Sequence, residues 1–165
     1  MFDQWMTWGL AAAAIATGLV AGVFLTFSDF VMRSLNAAEP TAGMEAMQLI
    51  NRMVYGSFFL AMFIAMAPLS AAIAVYAFGF TSGALTAWLI AGALFYVVGV
   101  FGVTVVRNVP MNKRLDRIDI AREGAGGYWP AYVRDWTRWN HVRTAASFGA
   151  ASCYLVGAIL TGQAA

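Results

Sequence analysis

Residues 5–27 read WMTWGLAAAAIATGLVAGVFLTF, an unbroken apolar run without one ionisable side chain. Coiled as an α-helix at about 1.5 Å per residue, it is long enough to cross the ~30 Å hydrocarbon layer of a bilayer. No Lys or Arg precedes it, and it is longer than a signal-peptide core, so it is expected to be a retained span rather than a cleaved leader. Three more apolar runs follow, at about residues 54–78, 84–106 and 144–162. The four take up most of the 165 residues and explain a composition that is 61% hydrophobic and 11% charged. Mean hydropathy is +0.70. A free-standing cytosolic globule, in which about a quarter of residues would be charged, is excluded. The expected fold is all-α: an integral membrane four-helix bundle with helical cytoplasmic extensions, residues 1–165 forming a single domain.

The basic residues give the direction, because Lys and Arg near span ends stay in the cytoplasm. Arg33 and Arg52 lie between the first two spans, and Arg107, Lys113, Arg114, Arg117, Arg122, Arg134, Arg138 and Arg143 between the last two. These are all ten Lys and Arg of the chain. Both charged loops are therefore expected on the cytoplasmic side of the cell inner membrane. The N and C termini would face the periplasm or exterior, with Asp3, Trp5 and Trp8 near the outer interface.

The loops carry helical signals of their own. Asp29 stands four residues before Arg33, a spacing that supports an exposed turn, and Pro40 breaks that helix. MEAMQLINRM, from Met44, starts a new helix leading into the second span. Pro110 opens a short charged helix, NKRLDRIDIARE, which EGAGG ends, and from Trp129 to Gly162 nothing forbids one long helix. Pro68 predicts a kink or local distortion in the second span.

Inside the spans there is almost nothing ionisable, which argues against an ion pathway. Uncharged polar and aromatic groups collect instead at one depth, the charged end. Ser28 closes the first span, Gln48, Asn51 and Arg52 precede the second, Thr104 and Asn108 close the third, and Trp136, Trp139, Asn140, His141 and Arg143 open the fourth. Residues three and four apart share a helix face. That rule aligns Gln48, Asn51 and Tyr55 on one helix, Thr104 and Asn108 on another, and Tyr132, Trp136, Trp139 and Arg143 on the last. Turned inward, these faces would wall a cavity suited to a flat, mostly apolar molecule with a few oxygens. The structural alternative is that the indoles anchor the interface, the arginine meets lipid phosphate and the amides cap helix ends.

Other features read as structure. One Cys and one His are too few for a disulfide framework, a self-contained zinc site or bis-His haem ligation. The nine Met read as core filling. Ala145, Gly149, Cys153 and Gly157 recur every four residues, as do Ala14, Gly18 and Gly22, and such stripes let helices pack closely.

Taken together, FSDFVMRSL, MQLINR, VTVVRNVPMNKRL and WTRWNHVRTAAS resemble, in order and spacing, the anthrone-oxygenase-like family of four-span membrane proteins. The resemblance runs from Gly22 to about Ser147. Its most specific pieces are residues 108–112, NVPMN, and residues 136–143, WTRWNHVR. It implies a cofactor-independent oxygenase acting on a hydrophobic aromatic substrate at the cytoplasmic interface, an anthrone going to an anthraquinone with O2 and no evident metal or flavin. Matched by position, Asn108, Asn112, Trp136, Trp139, His141 and Arg143 are the family's polar motif residues, joined by Gln48 and Asn51. His141, the single imidazole, is the expected base. Arg143 and Asn108 would complete the catalytic set. Gln48, Asn51, Thr104, Asn112, Trp136 and Trp139 would bind substrate, the amides helping to hold an oxyanion and the two indoles stacking on fused rings. His141 and Arg143 stand two apart, so at most one points straight into a cavity.

Two alternatives stand beside the enzyme: a non-enzymatic accessory subunit of a larger membrane complex, and a quinone or lipid-headgroup binder. The expected partners are the lipid bilayer and a hydrophobic aromatic small molecule, or a homo-oligomer or larger membrane complex, but not nucleic acid. An internal polar cavity would favour the enzyme or the binder. Trp136 and Trp139 pointing outward would favour the subunit.

Overall fold

The computed structural model describes residues 2–122 and 124–163, so residue 123 of the EGAGG stop, like the Asp3 side chain, lies outside what is described. Among the described residues seven α-helices follow in order: α1 (Phe2–Thr26), α2 (Met32–Ala37), α3 (Pro40–Met53), α4 (Phe58–Phe80), α5 (Gly83–Leu94), α6 (Val109–Asp116) and α7 (Trp129–Gln163). Short π-helical segments, Phe27–Val31 between α1 and α2 and Phe95–Gly102 and Thr104–Asn108 between α5 and α6, make longer continuous rods. Among the described residues four helical stretches are long and apolar enough to cross a membrane: Gln4–Ala37, Phe58–Phe80, Gly83–Asp116 and Ala125–Gln163. There is no strand among the described residues. This is an all-α integral membrane bundle.

Local chemistry accounts for the breaks. Pro40 does not itself stop α2, which ends at Ala37; it occupies the first turn of α3, where its missing N–H costs nothing. The helix expected from Met44 therefore begins four residues earlier. Val54–Gly56 tightens to a 3₁₀ turn and Ser57 is extended, its Oγ accepting from the Leu60 N–H at 3.1 Å to cap α4. Pro68 sits inside α4 without ending it. Between α4 and α5 the chain reverses at Gly83, whose φ of +63° is left-handed and suits a residue without Cβ. The charged helix after Pro110 stops at Asp116, well short of EGAGG. The buried Gln48 amide explains why: its Nε2 donates to the carbonyls of Leu115 (2.9 Å) and Ile118 (3.0 Å), binding the freed helix end to α3.

Two cores result. Leu10, Val20, Phe24, Phe63, Leu89, Tyr96, Val100 and Tyr154 belong to the core within the spans. Met32, Met44, Met47, Leu115, Trp129, Tyr132 and Trp136 form a second core at the charged end, under a cap made by α2, α3, α6 and the first turns of α7. The α1–α7 contact is the most extensive in the bundle, and the two run antiparallel, Thr7 lying near Gly162 and Phe24 near Asn140. The seam of α5 on α7 is close: a Cβ on Gly92 would meet the Tyr154 ring at 2.9 Å and Cys153 Cβ at 3.0 Å, and one on Gly157 would meet Leu89 at 2.7 Å. The α1 stripe differs, because nothing lies within 4 Å of a Cβ placed on Gly18 or Gly22. Those glycines face outward rather than into the bundle.

Candidate functional site

Where the two cores meet, a cleft of about 180 Å³ remains, room for on the order of ten waters or a small fused-ring molecule. Its apolar walls are Val23, Phe24 and Phe27 from the first rod, Met47, Ile50 and Val54 from α3 and the turn after it, and Phe59, Leu60 and Phe63 from α4. Its polar side is Asn51, Tyr55, Thr104, Asn112, Trp136 and Arg143. The backbone around it is irregular on three sides: two π-helical segments carry Phe27 and Thr104, and the 3₁₀ turn carries Val54 and Tyr55. Departures from α-helix at membrane depth are tolerated where they are buried or line a cavity, and π-turns recur at functional sites.

Arg143 is the centre of the polar side. It is 5% exposed, and Nη2 donates to Asn140 Oδ1 at 2.7 Å, with a longer contact from Nη1 to Thr104 Oγ1 at 3.4 Å. Thr104 gives its own proton to the Val100 carbonyl at 2.8 Å, so its oxygen is left to accept. The guanidinium carbon stands 4.3 Å from the Phe24 ring centre and 4.9 Å from that of Trp136. Nε is buried and bonds to nothing. No carboxylate pairs with this cation among the described residues. Two neutral hydrogen bonds and two ring faces offset only part of the several kcal/mol that desolvating a guanidinium costs. The cleft therefore holds a positive charge that no carboxylate among the described residues balances.

Asn140 holds the arginine in place. Its Nδ2 donates to the Phe24 carbonyl and to Ser28 Oγ, both at 2.7 Å, which fixes Oδ1 toward Arg143. Asn112 is fixed by a different route. Its Oδ1 accepts from Tyr132 Oη at 2.9 Å and from Trp136 Nε1 at 2.8 Å. An indole N–H can only donate, so the atom it meets must be oxygen, and the Asn112 Nδ2 group is the donor left to offer. Asn51 Nδ2 is buried beside the Tyr132 hydroxyl without a well-formed hydrogen bond.

The structure thus brings five of the expected site residues to one cleft: Asn51, Thr104, Asn112, Trp136 and Arg143. Four others lie elsewhere. Asn108 is buried behind the wall, its Nδ2 donating to the Trp136 carbonyl at 3.3 Å and its Oδ1 unpaired. Gln48 points to α6 and closes the cap instead of binding in the cleft. Trp139 faces away, with the Arg107 guanidinium 4.6 Å over its ring. His141 is exposed on the outer side of α7. Two residues from Arg143 is about 200° around a helix, so burying the arginine turns the imidazole outward. No cluster of three His, Cys, Asp or Glu side chains gathers anywhere among the described residues.

Asn140 carries more than its sequence position suggests, and so do the phenylalanines. The face is Tyr132, Trp136, Asn140, Arg143 and Ser147, all buried, in place of one running through Trp139. A 4-4-3 step and a 4-3-4 step are equally helical, and only the buried ends of the α1–α7 contact choose between them. Phe24, Phe27, Phe59 and Phe63 gave no signal distinct from ordinary span residues.

The sequence profile of the family described as anthrone oxygenase matches residues 52–153, more than half of the chain. The chain belongs to the anthrone oxygenase family. The match takes in Thr104, Asn112, Trp136, Asn140 and Arg143 and begins just after Asn51. No curated protein and no solved structure matches the chain.

Proposed function

We propose that this family member is a membrane-embedded oxygenase of an enolisable aromatic ketone such as an anthrone, with Arg143 and Asn112 holding the substrate oxygen as it becomes an oxyanion. The observation that carries this reading is the buried Arg143 guanidinium, turned to an aromatic-walled cleft and lacking a carboxylate. A cation kept desolvated with neutral partners is preorganised for negative charge that arrives with the ligand.

The chemistry follows from that charge. Loss of a proton from the ring CH2 to water gives an enolate whose oxygen takes hydrogen bonds from Arg143 and from Asn112 Nδ2. The enolate passes one electron to O2; the carbon radical and superoxide then join in a C–O bond, and protonation gives a hydroperoxide. Breaking its O–O bond, with loss of the second C–H proton, leaves a ketone and releases water. One O2 is consumed per CH2 converted to C=O plus H2O. No imidazole or carboxylate lines the cleft among the described residues, so the substrate's own acidity, raised by Arg143, governs the first step. Turnover then rises with pH through the ionisation of the bound substrate, and weakening the arginine moves that rise to higher pH.

The test is O2 uptake by the purified protein in lipid with anthrone as substrate. Uptake that Arg143→Met removes supports the reading. Uptake at the uncatalysed rate with wild-type protein rejects it, and tight binding without uptake would make the protein a carrier. The charged cap is read as cytoplasmic because all ten Lys and Arg belong to that end. In a Cys153→Ala background, a reagent confined to the outside should then label Gln163→Cys and spare Arg117→Cys; the reverse pattern would invert the orientation.

A further inference from the structure

The cleft is closed toward the charged cap and open toward lipid. On the cap side, Trp129, Tyr132 and Trp136 stack in a row, with centroids 5.7 Å and 6.3 Å apart and planes within 13° and 27°. Met32, Met44, Met47 and Leu115 are buried against them. Gln48 ties α3 to α6 beneath, and Arg52 meets Asp116 at 2.7 Å at the edge. A molecule coming from water on that side would have to part this core.

The opposite wall is thin. Val23 on α1 is 36% exposed and Tyr55 after α3 is 71% exposed, yet both line the cleft. They come from two rods that touch little, since α1 packs mainly on α7 and only slightly on α4. The chain beside Tyr55 is the 3₁₀ turn and the extended Ser57, where α3 ends and α4 has not begun. Leu19, one turn before Val23 on the same face of α1, and Met53 and Phe58, on either side of Tyr55 in the chain, are exposed and apolar. The exposed Asp29–Arg33 pair marks the polar level on the same rod. Val23 stands six residues before Asp29, about 9 Å deeper along the helix. The gap therefore faces hydrocarbon just below the headgroups.

We infer that the reactant reaches the cleft sideways from the bilayer, through the gap between α1 and the α3–α4 junction, with Val23 and Tyr55 as its rim. This rests on reading the cleft as the substrate site. It also narrows the substrate class to flat, lipid-soluble phenols or enols that leave the membrane oxygen first, toward Arg143, Thr104 and Asn112. Sulfonated or glycosylated versions of the same rings stay in water and never present themselves at the rim.

Stopped-flow quenching of the protein's tryptophan fluorescence by 1,8-dihydroxyanthraquinone, with the full chain in nanodiscs, tests the route. Val23→Trp fills the rim, so association and release should both slow, by about tenfold, while equilibrium affinity changes less than about threefold. Gln48→Leu, which loosens the cap, should leave the association rate alone. Arg143→Met reports on the site itself and should weaken equilibrium binding. A rate that ignores Val23→Trp overturns the lateral route while leaving the site intact, and a rate that rises in Gln48→Leu places the entry at the cap instead. Affinity unchanged in Arg143→Met, or no quenching in wild type, removes the site and the route with it.

Discussion

Trp136 and Trp139 lie three residues apart on α7, and each has a guanidinium over its ring: Arg143 at 4.9 Å on Trp136, Arg107 at 4.6 Å on Trp139. The contacts are alike and their surroundings opposite. Arg107 is exposed at the edge of the bundle, where its charge meets water and lipid headgroups, and its stacking on an indole adds about 0.5–1 kcal/mol. Arg143 is buried in the cleft with no carboxylate beside it among the described residues, so its charge carries a desolvation cost that its neutral partners offset only in part. The same pair of residue types is an interfacial fitting in one place and, in the function proposed above, a binding device in the other. Burial and the absence of a counter-charge, rather than residue type, make the difference.

The sharpest way to break this contrast is to remove the inner charge. Arg143→Met should cut kcat/KM for anthrone oxidation by roughly 100-fold or more, as losing a principal oxyanion donor does, and Arg143→Lys by about tenfold because charge survives without the fork. O2-electrode kinetics on both variants decide it, and equal rates for wild type and Arg143→Met would sink the assignment. Asn112→Asp comes next. It keeps the oxygens that Tyr132 and Trp136 donate to, but trades the free donor for negative charge facing the developing oxyanion. We expect about a tenfold or greater loss of rate with a near-native melting temperature; a rate loss that merely follows unfolding would make Asn112 structural.

The third comparison is between the two glycine stripes. Gly92→Ala should lower stability by about 1–3 kcal/mol in detergent, since Tyr154 and Cys153 must move, while Gly18→Ala should be neutral or stabilising by up to about 1 kcal/mol. Thermal or denaturant titration measures both. The smallest effects belong to the outer pair and its neighbour: His141→Ala and Arg107→Gln should each stay within about twofold of wild-type turnover, as exposed substitutions away from a site do. A large loss in His141→Ala would return the proton-transfer role to the imidazole.

The spans were legible in the sequence because hydrocarbon thickness imposes a minimum length on an apolar helix, and residues 5–27 already meet it. The long rod from Trp129 was legible too, as nothing between Pro130 and Gly162 opposes a helix. The depth of the cleft was legible, since polar side chains have one place to gather in so apolar a chain. Which of them turn inward was not. That depended on a helix rotation of about 100°, the angle separating Asn140 from Trp139, and a lone sequence leaves such a rotation open. Gln48 misled for a related reason: an amide that lines a cavity and one that closes a helix end look the same until the helix end is seen. The π-helical segments left no mark at all, because residues such as Phe27 and Thr104 are equally at home in an ordinary α-helical turn.

The shared oxygen of Asn112 has a consequence for how such a chain can change over generations. Tyr132 and Trp136 each surrender their only polar hydrogen to it, so an apolar residue at 112 would orphan two buried donors at once, at about 1–3 kcal/mol apiece. Phenylalanine at 132 and a ring without N–H at 136 would have to appear alongside it. The three positions should therefore drift as a set, and descendants that have lost the amide should have lost both donors as well.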